Sequence, residues 1–353
     1  MKVAAARVAI LLCALRLCVI AAHSSGAKPP TEADHIRRAV ELHQKGDLDG
    51  AIAEYRAALQ LDPNNAPAHN NLGSELSGKG DLDGAIAEYR TALRLNPNYA
   101  LAHYNLGVAL AGKGDVGGAI AEYHTALRLN PNFADAHYNL GVELRRKGDL
   151  DGAIAEYRAV LQVNPNRADA HYNLGVELSG KGDLDGAIAE YHAALRLNPN
   201  FADAQSNLGS ALRRKGDLDG AIAEYRTALQ LNPNLADTHF NLGNALAGKS
   251  DLDGAIAEYH AALRLNPNLA DAHFALGNAL AGKADLDGAI AELKVAARMK
   301  PDSARPHYTL GAVFEKRGDL KSALEEYRRA SQLEPSDGVI RRAYEDLSRK
   351  LNP

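Results

Sequence analysis

Four kinds of side chain, amide, carboxylate, aromatic and imidazole, recur along this sequence at one fixed spacing. Asn71, Asn105, Asn139, Asn173, Asn207 and Asn241 each stand two positions before a Gly, as in the stretch HYNLG from His103 to Gly107. Asp135, Asp169, Asp203, Asp237 and Asp271 precede that Asn position by four residues. Tyr104, Tyr138, Tyr172 and Phe240 precede it by one. His69, His103, His137, His171, His239, His273 and His307 precede it by two. An amide both donates and accepts hydrogen bonds, so a row of amides suits the backbone of an extended polypeptide rather than any one of its side chains. A row of carboxylates suits a basic or polar segment, with an attraction that salt weakens.

Catalysis and metal binding fit these residues poorly. One His per repeat places successive imidazoles about one helix layer apart, roughly 8–10 Å. That is too far for two of them to reach one metal at about 2 Å each. The stretch Gly-Asp-Leu-Asp-Gly, as at Gly148 to Gly152, has an acidic loop's composition but lacks the distal Glu of a calcium loop, and it reads as a turn between helices. No phosphate-cradling loop and no nucleophile with a base is present. The expectation is a non-enzyme with no metal and no cofactor. The His row, one helical turn before the Gly, is expected to be partly buried and neutral. Burial would then lower each imidazole pKa and make the fold sensitive to acid.

These rows need elements to position them, and the prolines mark those elements out. Pro63, Pro97, Pro131, Pro165, Pro199, Pro233, Pro267, Pro301 and Pro335 fall 34 residues apart. Nine units therefore begin at Glu32, Ala66, Ala100, Ala134, Ala168, Ala202, Ala236, Ala270 and Ala304, spanning 32–337. Such a period signals a solenoid, in which each unit packs on its neighbours. Within the unit from Ala134, Leu140 and Leu144 lie four apart on a first helix. Ile154, Tyr157 and Leu161 form a stripe on a second. Asp149 suits a cap between them, and Pro165 ends the second helix because it cannot continue it. The small rows, Gly73 to Gly311 and Ala51 to Ala323, let helices approach, and the Tyr row from Tyr55 to Tyr327 fills the space between layers, with Leu293 once in its place.

Leu-Gly, the Gly-Asp turn, Ala, Tyr and Pro in this order and at this period resemble the tetratricopeptide-repeat (TPR) family, across Glu32 to Asp337. The resemblance implies an all-α, right-handed superhelical solenoid of nine helical hairpins, with the first helix of each lining a concave groove. It also implies that the Asn, aromatic and Asp rows project into that groove, so the candidate peptide-binding residues are those named above. The Asn and Asp rows are similar to those in the repeat domain of O-linked N-acetylglucosamine transferase, without its catalytic domain. A second use within the family, clamping a terminal carboxylate, needs Lys and Arg in the groove, and only Arg37 matches. His at 69 and its equivalents departs from the large residue common in the family.

The expected function is a non-enzymatic scaffold that binds an extended protein segment in the groove. The alternatives are an assembly protein that self-associates through its ends or convex face, and a regulatory subunit of a separate enzyme. Three of the 40 basic residues and none of the 44 acids lie in residues 1–27, so the remainder is more acidic than the formal net charge of −4. That balance disfavours nucleic acid and anionic membrane as partners. Residues 1–27 have a basic start, an apolar run interrupted by Arg16, and small residues near the end. They read as a secretory signal peptide followed by a short linker, 28–31, and imply an exported protein. A membrane-anchored or cytoplasmic location is the alternative. Both cysteines, Cys13 and Cys18, lie in that run, so no disulfide is expected in the mature chain. Residues 338–353 are expected to form a capping helix, begun near Ser336, with Val339, Ala343, Leu347 and Leu351 on its buried stripe.

Overall fold

The structure, a computed structural model, describes residues 29–351. The segment 1–27 expected to be a signal peptide, with Cys13 and Cys18, lies outside them. Among the described residues there are nineteen α-helices and no strand. Nine hairpins account for eighteen. In residues up to Pro165 they are α1 (Glu32–Gln44) with α2 (Leu48–Leu61), α3 (Ala66–Gly78) with α4 (Leu82–Leu95), α5 (Ala100–Gly112) with α6 (Val116–Leu129), and α7 (Ala134–Lys147) with α8 (Leu150–Val163). From Asn166 onward they are α9 (Ala168–Gly180) with α10 (Leu184–Leu197), α11 (Ala202–Arg214) with α12 (Leu218–Leu231), and α13 (Ala236–Gly248) with α14 (Leu252–Leu265). Two further pairs follow, α15 (Ala270–Gly282) with α16 (Leu286–Met299) and α17 (Ala304–Arg317) with α18 (Leu320–Leu333), and then α19 (Gly338–Leu351). The chain divides into two compact units between Pro165 and Asn166. Within each, a helix packs on its hairpin partner and on the helix that follows.

Capping explains why the second helices start where they do. Asp47, Asp81, Asp115, Asp149, Asp183, Asp217, Asp251 and Asp285 each accept a hydrogen bond from the backbone N–H three residues on, at 2.9 Å. Each bond satisfies one of the donors a helix start leaves without a partner. The residue before most of these caps is a Gly at φ 78–88°, a left-handed conformation that costs other residues about 1 kcal/mol or more. Two turns lack it. Ser250 and Ala284 hold φ 65° and 63° instead.

Small residues set the layer spacing. A Cβ added at Gly73, Gly107, Gly141, Gly175, Gly209, Gly243 or Gly311 would come within 2.5–2.9 Å of the Tyr ring on the hairpin's second helix. Nothing larger than hydrogen fits there. The Ala row is fully buried throughout, and the Tyr rings are buried against it. Between successive hairpins, cations reach acids thirty residues back: Lys79 to Asp49 and Lys113 to Asp83 in the first unit, and Lys215 to Asp185, Lys249 to Asp219, Lys283 to Asp253 and Arg317 to Asp287 in the second. These pairs are exposed and each contributes little, about 0–1 kcal/mol. The C-terminal helix packs Ala343, Leu347 and Leu351 of the expected stripe on the core and departs from it at Val339. Asp337, not Ser336, accepts from the first N–H groups of α19. Ile340 and Leu347 are its buried residues, with Val339 56% exposed. Ile340, seven residues before Leu347, shares its face and takes the core side in place of Val339.

Candidate functional site

The amide row lies on the first helices, half-buried, and its members make specific bonds within the chain. Asn139 donates from Nδ2 to the Tyr104 hydroxyl at 3.1 Å, and Asn207 donates to the Tyr172 hydroxyl at 3.1 Å. Asn105 does the same to the Oδ1 of Asn70, which occupies the Tyr position one layer back, at 3.0 Å. Each bond joins a helix to the equivalent helix 35 residues earlier. Asn139 also bonds the buried Tyr123 phenol. Burial pushes that phenol's pKa up, Tyr104 and Glu143 push in the same direction, and the Asn139 bond opposes them. The Asn in front of Leu-Gly therefore ties layers together. With one hydrogen committed to the layer before, Asn105 and Asn207 have a second N–H and a carbonyl oxygen to offer a ligand.

The aromatic row is shared between packing and surface in the same way. Tyr104 lies 6.0 Å from Tyr123 and 4.8 Å from Phe133 between ring centroids, and Tyr172 lies 6.2 Å from Tyr191 and 4.7 Å from Phe201. Phe133 and Phe201 occupy N-cap positions without a capping bond, so packing replaces a cap there. Tyr138 lies 5.9 Å from Tyr157, and Phe240 lies 6.0 Å from Tyr259, whose pKa burial pushes up to about 12.

The carboxylate row is not uniform. Arg167 grips Asp169 through Nε at 3.0 Å and Nη2 at 2.6 Å, which holds that carboxyl below the usual range. Asp271 pairs with Lys300 at 2.7 Å. Asp135, Asp203 and Asp237 are exposed. Sequence reasoning missed a second set of acids two turns further along the same helices. Glu75, Glu143 and Glu177 are 3–5% exposed, where other layers carry Ala109, Ala211, Ala245 and Ala279. Arg146 holds Glu143 through one nitrogen at 3.0 and 2.9 Å, and His43 meets Glu75 at 2.9 Å. An acid alternating with Ala and Val in one column was the available signal.

In the second unit the rows open into a cleft of about 480 Å³. Phe240, Phe274, Ala275 and Ala279 form its apolar lining, and Asn244, Asn278, Asp271 and Arg305 bring polar groups to it. Asn244 accepts from the Tyr259 hydroxyl at 2.9 Å. The Arg305 guanidinium lies 5.0 Å from the centre of the Phe274 ring.

At His137 the expectation of a lowered imidazole pKa is overturned, and the geometry behind it recurs along the row. In eight hairpins the imidazole Nδ1 lies 2.5–2.6 Å from a Glu Oε2 on the second helix: His35–Glu54, His69–Glu88, His103–Glu122 and His137–Glu156 in the first unit, and His171–Glu190, His239–Glu258, His273–Glu292 and His307–Glu326 in the second. Gln205 takes the His place once and donates to Glu224. At His69, His103, His137, His239 and His273 the Nε2 faces the carbonyl of the preceding Pro, at 2.9–3.2 Å. At His137 the Glu156 carboxylate and the Pro131 carbonyl are both acceptors, which favours a ring that donates from both nitrogens. For His137 the Glu156 bond raises the pKa, against desolvation, and the Pro131 carbonyl raises it further. Among the described residues no three His, Cys, Asp or Glu gather into a metal-sized cluster, and no helix is long and apolar enough to cross a membrane.

Repeated helical hairpins with this packing define a class, and comparison with known proteins places the chain in it. Family models described as TPR repeat match seven windows between residues 41 and 283, and one described as tetratricopeptide repeat matches 284–338. The chain belongs to the tetratricopeptide-repeat family, whose members are in general protein-interaction scaffolds. No curated protein matches it. Among solved structures, a tetratricopeptide-repeat protein from Parabacteroides merdae is 19% identical over 70% of this chain and 98% of its own, with a TM-score of 0.50. PilF of Pseudomonas aeruginosa is 22% identical over 62% of this chain and 97% of its own, with a TM-score of 0.53. Both likenesses are of fold. YrrB, described as a TPR protein with an unusual peptide-binding site, is 26% identical over 56% of this chain and 97% of its own, with a TM-score of 0.49.

Proposed function

We propose that the chain is a non-enzymatic scaffold that holds an extended segment of a partner protein along the amide face of its first helices. The observation that carries this reading is the preset orientation of the amides. The bonds of Asn105, Asn139 and Asn207 to the preceding layer fix each side chain before any ligand arrives. Preset groups lose less entropy on binding. Layers roughly 8–10 Å apart and an extended chain advancing about 3.3 Å per residue bring one amide to every third ligand residue. Exposed Asp203 and Asp237 favour basic or polar residues in the part of the segment beside them.

The test replaces Asn105, Asn139, Asn173 and Asn207 with Ala together. Circular dichroism should show unchanged helical content, while quantitative pull-down from the native host should lose the partners that the wild type retains. Retrieval of the same partners at unchanged affinity sinks the reading.

A further inference from the structure

We propose that the cleft at Phe240 and Phe274 is a subsite for a large apolar side chain with a carboxylate close to it in the same extended segment; this deepens the scaffold reading above and rests on it. The observation is an interruption in the polar rungs. Upstream in the same unit, Asn207 and the Tyr172 hydroxyl close the gap between layers with a hydrogen bond. At the next layers Phe240 and Phe274 have no hydroxyl, and Ala275 stands where the earlier hairpins carry the Asn. The bond that would bridge these layers has neither donor nor acceptor, and the space it would occupy joins the cleft.

The cleft volume lies within the range of small-ligand pockets, and its apolar lining gains by being covered. An aromatic or long aliphatic side chain fits that chemistry, and a polar one loses water there without replacement. Peptide groups on either side of it meet the Asn244 and Asn278 amides at the cleft. Because Asn244 Oδ1 already accepts from Tyr259, its N–H groups are what it offers a ligand carbonyl.

Charge supplies the second half of the assignment. Asp271 is neutralised by Lys300. Arg305 is positioned instead by stacking on Phe274, which leaves its planar donors directed by an aromatic face rather than by an acid. A smaller cavity of about 100 Å³ adjoins the cleft and is lined in part by Lys300, Ser303 and Arg305. Two cations and one hydroxyl against one paired acid make this corner complementary to a carboxylate. The same corner disfavours the basic residues that Asp203 and Asp237 attract, so it also sets a register.

The experiment measures fluorescence anisotropy with the full chain and three short labelled peptides of Ser and Asn. One carries Phe with a Glu near it, one Phe with Lys, and one Ala with Glu. The Phe–Glu peptide should bind on the order of tenfold more tightly than either of the others. Ala275→Asn restores the residue native to this position in six other layers and should remove that advantage by obstructing the cleft. Arg305→Glu should shift the preference to the Phe–Lys peptide. Equal binding of the three peptides, no binding of any, or an unchanged order in both variants overturns the subsite. The outcome is separable from that of the scaffold reading. Loss of partners in the four-Asn variant with no peptide discrimination sinks the subsite alone. Discrimination by the cleft with full partner retention in that variant sinks the extended groove alone.

Discussion

The His137 ring, between the Glu156 carboxylate and the Pro131 carbonyl, makes the folded chain prefer imidazolium at that site. Its folded pKa lies above the unfolded value of about 6.5. The stabilisation is therefore fully present below that value and is lost as pH rises through the folded pKa. Gln205 shows which neutral residue the position accepts. His137→Gln should cost about 1 kcal/mol near pH 5.5, the worth of a charge-assisted hydrogen bond reduced by solvent, with the cost shrinking toward about pH 8.5. Thermal unfolding of both proteins across that range checks it, and a cost that grows with pH refutes it. The sequence displayed the His row but hid this chemistry. Glu156 is 19 residues from His137 and on the other helix, so the pairing depends on hairpin register, which periodicity does not specify. The same limit applied to Asn139, whose face was readable but whose partner, Tyr104, lies one layer away.

At the scale of the helix and its turns, the pattern was legible because each signal is local. A Pro cannot continue a helix, an Asp caps three residues ahead, and a Leu or Tyr stripe repeats at helical spacing. Reading failed where two residues competed for one role, as when Ile340 rather than Val339 took the buried side of α19. The turns at Ser250 and Ala284 are departures that the sequence shows and the backbone explains. Both positions keep the left-handed φ that their neighbours assign to Gly. Ser250→Gly and Ala284→Gly should each stabilise the chain by about 1 kcal/mol, and Gly80→Ala should destabilise it by a similar amount. Chemical denaturation of the three variants measures this, and destabilisation by either Gly substitution counts against strain at these turns.

For the molecule as a whole, the decisive fact is that most joints within a unit are built from the same parts, with Leu293 in place of the Tyr once. A buried Ala, a Tyr ring over a Gly and an exposed cation–acid pair recur between residues of nearest neighbours. Stability should then accumulate along the chain rather than depend on distant closures. Excising residues 202–235, one full period inside the second unit, rejoins surfaces of the same kind. The shortened chain should keep its helical content per residue and lose a fraction of its stability rather than its fold. Circular dichroism with a denaturant titration decides the matter, and collapse to an unfolded chain would show that this hairpin makes a contact its copies cannot replace.

The bonds from Asn105 to Asn70, Asn139 to Tyr104 and Asn207 to Tyr172 also share a sense. In every one the proton is handed toward the N-terminus, never the other way. The amides of these three residues thus point alike, as arrows on a one-way street. A polypeptide strand has an arrow of its own, since its N–H and C=O groups alternate in a fixed order. A guest laid along these helices in one direction meets donors with acceptors, and the same guest turned end for end meets them out of step.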